Sequence, residues 1–282
     1  MKIIEYIIIA ILQGLFEWLP ISSSGQVMIV SINFFGISPS EAYSLAIWLH
    51  LGTSLAVLIK FRGDFASIFK SLFPDKYDIE NSYKVKRNWL ILATLGTAIT
   101  GIPLYLLFKS LLENYYIASH GDLITLIICG LLIITGIILL IKDKSGTKQI
   151  QNMGPSFFQK DSLFAGLTQG FSVLPGISRS GITVSTILLE NYAQEDALKL
   201  SFLISVPAVF GSIGADIIFG EGSIFGLLNL LIIIIVTLIS FGIGYLSMEF
   251  LLKIAKRVSF GYFCICYGIV SFIIIIPFLI IS

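Results

Sequence analysis

Long apolar runs alternate with short polar segments along the chain, and six of these runs are long enough to cross a bilayer. A membrane-spanning helix needs about 20 mostly apolar residues. The six predicted spans lie at about 43–60, 88–108, 122–141, 198–219, 224–247 and 260–281. The mean hydropathy of +0.95 agrees with this pattern. The sequence therefore predicts an all-α polytopic membrane protein, with one membrane domain over residues 1–282.

Two further apolar runs are each interrupted by a polar turn. The run at 3–35 is broken at Pro20 and a Ser-Gly turn, and the run at 162–190 is broken at Pro175-Gly176. Proline and glycine end helices, and irregular backbone inside a bilayer is tolerated only where protein or a cavity surrounds it. Each run is therefore predicted to form a re-entrant helical hairpin. A polar loop at the membrane surface is the alternative for the second run.

An internal repeat relates the two interrupted runs. A shift of 156 residues places Gln13–Gly25 over Gln169–Gly181, and six of the thirteen aligned positions are identical. Two of the differing positions carry opposite charges, because the first copy contributes Glu17 and the second contributes Arg179. Such duplications are typical of transporter-like membrane folds whose sites lie between the repeats. The identities also make a surface loop less favourable for the second run.

Each repeat is predicted to hold one hairpin and three spans, the first over about 1–141 and the second over about 162–281. Three spans are an odd number, so the second repeat is expected to be inverted relative to the first. This topology places fifteen Lys and Arg residues on one side and two on the other, with Arg179 the remaining one of eighteen. By the positive-inside rule, the basic side is cytoplasmic and both termini are outside the plasma membrane.

Composition excludes several other classes of protein. A net charge of +1 gives no indication of nucleic-acid binding, and two histidines cannot form a histidine metal cage. The three cysteines lie in apolar runs, so no disulfide framework is indicated. The first apolar run has features of a signal peptide, but its motif recurs inside the chain, which argues against cleavage.

Gln13 and Glu17 are four residues apart, so they share one face of a helix. Glu17 has no neighbouring cation in sequence and comes just before a proline. A charged side chain at membrane depth needs a partner. Glu17 is therefore predicted to be a carboxylate that handles a metal ion or a proton, paired across the repeat with Arg179. The alternative is an acid at a helix end that extends towards the interface.

The two hairpin tips, Ser22–Gly25 and Ser178–Gly181, each open a second half-helix. Exposed N–H groups at a helix start, with hydroxyl donors beside them, bind anions, and an arginine fork suits phosphate. The alternative is that small residues at the tips only allow two hairpins to pack closely. The combination suggests a phosphorylated lipid as ligand and leaves open whether the protein cleaves the lipid or moves it.

The motifs also resemble a known family, the undecaprenyl-diphosphate phosphatases associated with bacitracin resistance. That family has an (E/Q)-x-x-x-E motif, a Pro-x-Ser-Ser-x-Gly-His stretch and a later Pro-Gly-x-Ser-Arg-Ser-x-x-Thr stretch. The corresponding segments here are Gln13–Glu17, Pro20–Gln26 and Pro175–Thr183, and the resemblance extends over essentially the whole chain.

The resemblance implies a membrane hydrolase that removes the terminal phosphate of undecaprenyl diphosphate and recycles the lipid carrier for cell-wall glycans. It also implies paired re-entrant hairpins in inverted repeats, a site that opens to the outer face, and Mg²⁺ or Ca²⁺ as cofactor. By the same resemblance, Glu17 serves the metal or proton transfer, Ser23 is the nucleophile and Arg179 holds the diphosphate. The implied substrate-binding residues are Gln13, Ser22, Ser24, Gln26, Ser178, Ser180 and Thr183. The expected partners are the polyprenyl lipid and the bilayer, with a homodimer as an open alternative.

Gln26 departs from the family pattern, because it stands where the family has histidine. Glutamine cannot take a proton from serine near neutral pH. Three explanations stay open: Glu17 is the base, His50 in the following span substitutes, or the protein is a poor phosphatase. A packed or surface histidine is the alternative for His50. The alternative function is a polyprenyl-phosphate transporter or flippase with weak or no phosphatase activity.

Overall fold

The structure, a computed structural model, describes residues 2–19, 22–73, 81–114, 148–149, 157–219 and 229–254, with isolated residues within 130–140 and 262–273. Almost all of the described residues are helical, and Lys148 and Tyr192 form an isolated β-bridge. The helices are α1 (Ile3–Phe16), α2 (Ser23–Asn33), α3 (Pro39–Lys60), α4 (Arg62–Lys70), α5 (Asn81–Asn114), α6 (Phe157–Gly170), α7 (Arg179–Leu189), α8 (Gln194–Phe219) and α9 (Leu230–Ile254).

Within the described part of the chain, four helices are long and apolar enough to cross a membrane, namely α3, α5, α8 and α9. They confirm an all-helical, multi-pass protein and four of the six predicted spans. The predicted spans at 122–141 and 260–281 lie almost entirely outside the described residues. Each of these four helices extends beyond its predicted span at one end or at both. Helix α3 begins at Pro39 because Ser38 caps it, its Oγ accepting the Glu41 N–H at 3.3 Å.

Helix α5 also exceeds its predicted span of 88–108, since it continues through a polar first turn and past Pro103 to residue 114. The polar segment that precedes it contains a helix that the hydropathy pattern did not predict, α4. Asp64 in α4 pairs with Lys86 of α5 at 3.2 Å and with Lys199 of α8 at 2.9 Å. These ion pairs tie α4 to the ends of two long helices.

Two pairs of short helices correspond to the predicted hairpins. Helices α1 and α6 have 14 residues each, and α2 and α7 have 11 residues each. At 1.5 Å per residue these helices are about 21 and 16 Å long, less than the roughly 30 Å of a hydrocarbon core. The second pair begins at Phe157, earlier than the predicted 162. Between its helices lie a 3₁₀ turn, Phe171–Val173, and Gly176 at φ 104°. Pro20 and Ile21 lie outside the described residues.

Close backbone contacts hold each short pair against a long helix. Helix α1 packs on α9, and α6 packs on α5. A Cβ atom added to Gly166 would lie 2.0 Å from the Ala93 carbonyl oxygen, and one added to Gly14 would lie 2.8 Å from Ile243 Cβ. Glycine at these positions therefore allows the helices to approach closely enough to place the hairpin tips beside α3.

Candidate active site

The first serine of each tip caps the helix that follows it. Ser22 Oγ accepts the Gly25 N–H at 3.3 Å, and Ser178 Oγ accepts the Gly181 N–H at 3.1 Å. These serines occupy equivalent positions in the internal repeat, so the same sequence produces the same cap twice. Ser22 Oγ also accepts the Gly176 N–H of the other hairpin at 3.0 Å. The two tips are therefore in direct contact.

Two hydroxyls of the second tip extend this contact. Ser178 and Ser180 donate to the Leu19 carbonyl oxygen at 3.4 and 3.2 Å. The Gly176 N–H and these two hydroxyls thus all donate from the second hairpin to the first. The contact brings Glu17 of the first repeat next to Arg179 of the second.

Glu17 lies at the centre of the site, and its side chain is only 1% exposed. Arg179 forms an ion pair with its Oε1 atom. Oε2 accepts hydrogen bonds from Ser23 Oγ at 2.7 Å and from Gln13 Nε2 at 2.5 Å. The structure therefore brings the predicted carboxylate and nucleophile, Glu17 and Ser23, together with Arg179, which is 162 residues away from Glu17 in sequence.

His50, which the sequence analysis left open as a substitute for the missing family histidine, also contacts Glu17. Its Nε2 atom is 3.2 Å from Glu17 Oε2, and its Nδ1 atom is 2.6 Å from the Ala46 carbonyl oxygen. The only signal in the sequence was a histidine within an apolar span. That signal cannot show which face of α3 points at the hairpin tips.

Two cavities meet at this centre. The first is a small polar pocket of about 20 Å³, which includes Glu17, Ser23 and Ser178 in its lining. The second is an apolar cavity of about 160 Å³ between α3, α5 and α8. Both are lined by Ser24, Ser172, His50 and Arg179. A polar head and an apolar chain of one molecule could therefore lie side by side here.

The sequence model of the family described as "Bacitracin resistance protein BacA" matches residues 6–273. The chain belongs to this family. Similar proteins named "Undecaprenyl-diphosphatase" include one from Methanothrix thermoacetophila, 39% identical over 96% of both chains. Another, from Methanococcoides burtonii, is 41% identical over 95% of this chain and 96% of its own. A third, from Methanopyrus kandleri, is 32% identical over 95% and 94% of the two chains.

The family resemblance implied Mg²⁺ or Ca²⁺ at Glu17, and the donors around this carboxylate do not fit that role. Both of its oxygens are already engaged, by a guanidinium, a hydroxyl, an amide and an imidazole. Mg²⁺ and Ca²⁺ bind through several oxygen ligands. Among the residues that the structure describes, no group of three or more His, Cys, Asp and Glu residues could hold a metal ion. The cofactor stays a prediction, and no chemical step is derived from it.

The remaining predicted residues of this BacA-family chain lie in the tips or in the helices that follow them. Ser22 and Ser24 have hydroxyls 3.3 Å apart, and Gln26 is buried in the first turn of α2. Thr183 is fully buried and donates to Gln169 Oε1 at 3.2 Å. Gln169 Nε2 in turn donates to Thr97 Oγ1 of α5 at 3.1 Å. Thr183 therefore has a visible structural role in fixing the second hairpin to α5.

Sequence reasoning also missed a buried carboxylate beside the apolar cavity, Asp216 of α8. Asp216 is fully buried and accepts hydrogen bonds from Ser44 Oγ at 2.7 Å, Trp48 Nε1 at 3.1 Å and Tyr105 OH at 3.0 Å. These donors come from α3 and α5, so one carboxylate joins the three helices around the cavity. No motif marked it, because it stands alone near the end of an apolar run.

Proposed function

We propose that this BacA-family chain is an integral membrane phosphatase that hydrolyses undecaprenyl (polyprenyl) diphosphate to the monophosphate and phosphate. This reaction recycles the lipid carrier for cell-wall glycan synthesis. The observation that carries the proposal is the buried Ser23–Glu17–Arg179 cluster, in which a hydroxyl donates to a carboxylate at 2.7 Å beside a guanidinium. The name shared by the curated relatives supports the same activity.

Arg179 is suited to binding the terminal phosphate. One of its terminal nitrogens pairs with Glu17, while its Nε and Nη1 atoms are buried and have no hydrogen-bond partner among the described residues. A buried donor without a partner is unfavourable by about 1–3 kcal/mol. Phosphate oxygens in the polar pocket would satisfy both donors. The N-terminus of α2, where Ser23 and Ser24 lie, adds backbone N–H groups that favour an anion.

Ser23 is the proposed nucleophile, with Glu17 as its general base. The Ser23 Oγ–H proton passes to Glu17 Oε2 as Oγ forms a bond with the terminal phosphorus. The bond from that phosphorus to the bridging oxygen breaks, and its electron pair leaves with the polyprenyl monophosphate. Water then attacks the phosphoserine, Oγ recovers its proton from Glu17, and inorganic phosphate is released. Arg179 stabilises the charge that develops on the phosphoryl oxygens.

The proposed architecture is a pair of re-entrant hairpins in inverted repeats. It is supported by the equal helix lengths of the two short pairs, 14 and 11 residues in each, and by the equivalent serine caps. The distribution of loop cations supports both termini and the opening of the site facing outward, with Lys148 cytoplasmic. Lys148→Cys should then resist an impermeant thiol reagent in intact cells and react after permeabilisation. Labelling from outside would overturn this topology.

A phosphate-release assay tests the function directly. Purified protein in detergent should release phosphate from polyprenyl diphosphate, with and without added Mg²⁺ or Ca²⁺, and Ser23→Ala should abolish the release. A transporter without phosphatase activity should release none, because it moves the lipid without breaking a phosphorus–oxygen bond. Ser38→Ala is a matched control, since it removes a serine cap from α3 away from the hairpin tips. Light scattering of the same sample decides whether the protein is a homodimer.

A further inference from the structure

Both ring nitrogens of His50 face acceptor atoms. The Ala46 carbonyl oxygen, 2.6 Å from Nδ1, can only accept a hydrogen bond, so Nδ1 donates to it. Nε2 faces a carboxylate oxygen of Glu17 at 3.2 Å, which is also an acceptor. Ala46 and His50 are four residues apart on α3, so the ring is held against its own helix. The ring is therefore fixed with Nε2 directed at Glu17.

Three side chains converge on Glu17 Oε2, and His50 is the one that comes from outside the first hairpin. Gln13 and Ser23 belong to α1 and α2, the two helices of the first hairpin. Arg179 of the second hairpin holds the other carboxylate oxygen, Oε1. A third, rigid element can in addition hold Oε2 in place. His50 does this from α3, a long helix that is buried over most of its length. Its contact determines the direction in which Oε2 faces the Ser23 hydroxyl.

We infer that His50 is a positioning residue, which holds Glu17 Oε2 in line with Ser23. In this chain it supplies from α3 the imidazole that the family pattern supplies from position 26. Position 26 lies three residues after Ser23, on the same face of α2. A histidine there would adjoin the same hydroxyl. The inference rests on the proposed phosphatase function, because the role of His50 is defined through Glu17 and Ser23.

The test compares four proteins: wild type, His50→Gln, Gln26→His, and the double variant. Misplacement of a catalytic group by about 1 Å reduces rates on the order of 10²-fold. We therefore expect His50→Gln to lower kcat about 10²-fold with little change in KM, because substrate binding relies on Arg179. The double variant should recover at least about tenfold of that loss. Ser54→Ala is the matched control on α3, since the Ser54 hydroxyl is buried and has no hydrogen-bond partner among the described residues.

A second readout does not depend on turnover. The chain has two histidines, so His120→Gln leaves His50 as the single imidazole for ¹⁵N NMR. Glu17→Gln should shift its Nε2 resonance while Ser54→Ala should not. An unchanged resonance, or a kcat of His50→Gln within twofold of wild type, overturns the inference while the phosphatase stands. If wild type releases no phosphate, the proposed function fails, and the NMR comparison alone then decides whether His50 is fixed on Glu17.

Discussion

Glu17→Gln is the most informative single change, because four side chains contact this one carboxylate, namely those of Gln13, Ser23, His50 and Arg179. The substitution keeps the shape of the side chain and removes its charge and half of its acceptor capacity. If Glu17 is the general base, kcat should fall by about 10²- to 10⁴-fold, the typical contribution of such a group. Ser23 would keep a neighbour that accepts a hydrogen bond but not a proton.

The same substitution should also destabilise the protein. The Glu17 and Arg179 side chains are 1% and 13% exposed, so the variant leaves a largely buried guanidinium without its anion. Breaking a buried ion pair by removing one partner costs about 3–5 kcal/mol. Removing the partner as well should relieve part of this penalty. In a double-mutant cycle with Arg179→Gln, we expect a coupling free energy of about 0.5–3 kcal/mol.

Phosphate release and thermal unfolding in detergent measure the two effects separately. The matched control is Glu249→Gln, because the ion pair of Glu249 with Lys60 is partly exposed, at 37% and 29%. An exposed pair contributes about 0–1 kcal/mol, so this variant should retain both activity and stability. Full activity of Glu17→Gln would remove the base from the mechanism. Additive destabilisation in the cycle would show that the Glu17–Arg179 contact has no energetic role.

Three further variants test other parts of the structure. Arg179→Lys should lose most of the phosphatase activity although it keeps the charge, because an ammonium cannot present the guanidinium's fixed donors; near wild-type turnover would make Arg179 structural. Gly166→Ala should destabilise the protein by about 1–3 kcal/mol, since the new methyl group meets an α5 carbonyl. Gly211→Ala has open space around it inside α8, so it should melt no lower than wild type, because alanine favours a helix over glycine. Burial raises the pKa of Glu190 from 4.5 to about 9. Because the folded protein then binds this proton more tightly than the unfolded chain does, folding stability should fall as pH rises from 4.5 to 9. Glu190→Gln should flatten this decline in pH-dependent melting curves, and an unchanged slope would contradict it.

The repeat predicted the main ion pair of the site because it compared two copies position by position. The copies differ where Glu17 and Arg179 stand, and complementary differences at equivalent positions indicate a contact between them. The same comparison aligned Ser22 with Ser178, and the structure shows that these two serines cap α2 and α7. Such caps follow from local sequence, since a cap depends on the next three residues.

Contacts made by residues inside long apolar runs could not be predicted in this way. His50 and Asp216 each lie in a helix whose faces look alike in the sequence, so hydropathy does not show which face meets the site or the cavity. Their partners are fixed by how α3, α5 and α8 pack. Hydropathy also underestimated the length of α5, because it detects the apolar part of a helix and not the polar turns that extend it.

The bonds between the hairpin tips have a mechanical consequence. The Gly176 N–H and the Ser178 and Ser180 hydroxyls all donate from the second hairpin to the first. The buried Glu17–Arg179 pair joins the same two hairpins. A rocking motion of one repeat against the other would have to break all of these contacts together, next to the reacting atoms. The two tips are therefore expected to stay joined during turnover and not to open and close as a gate.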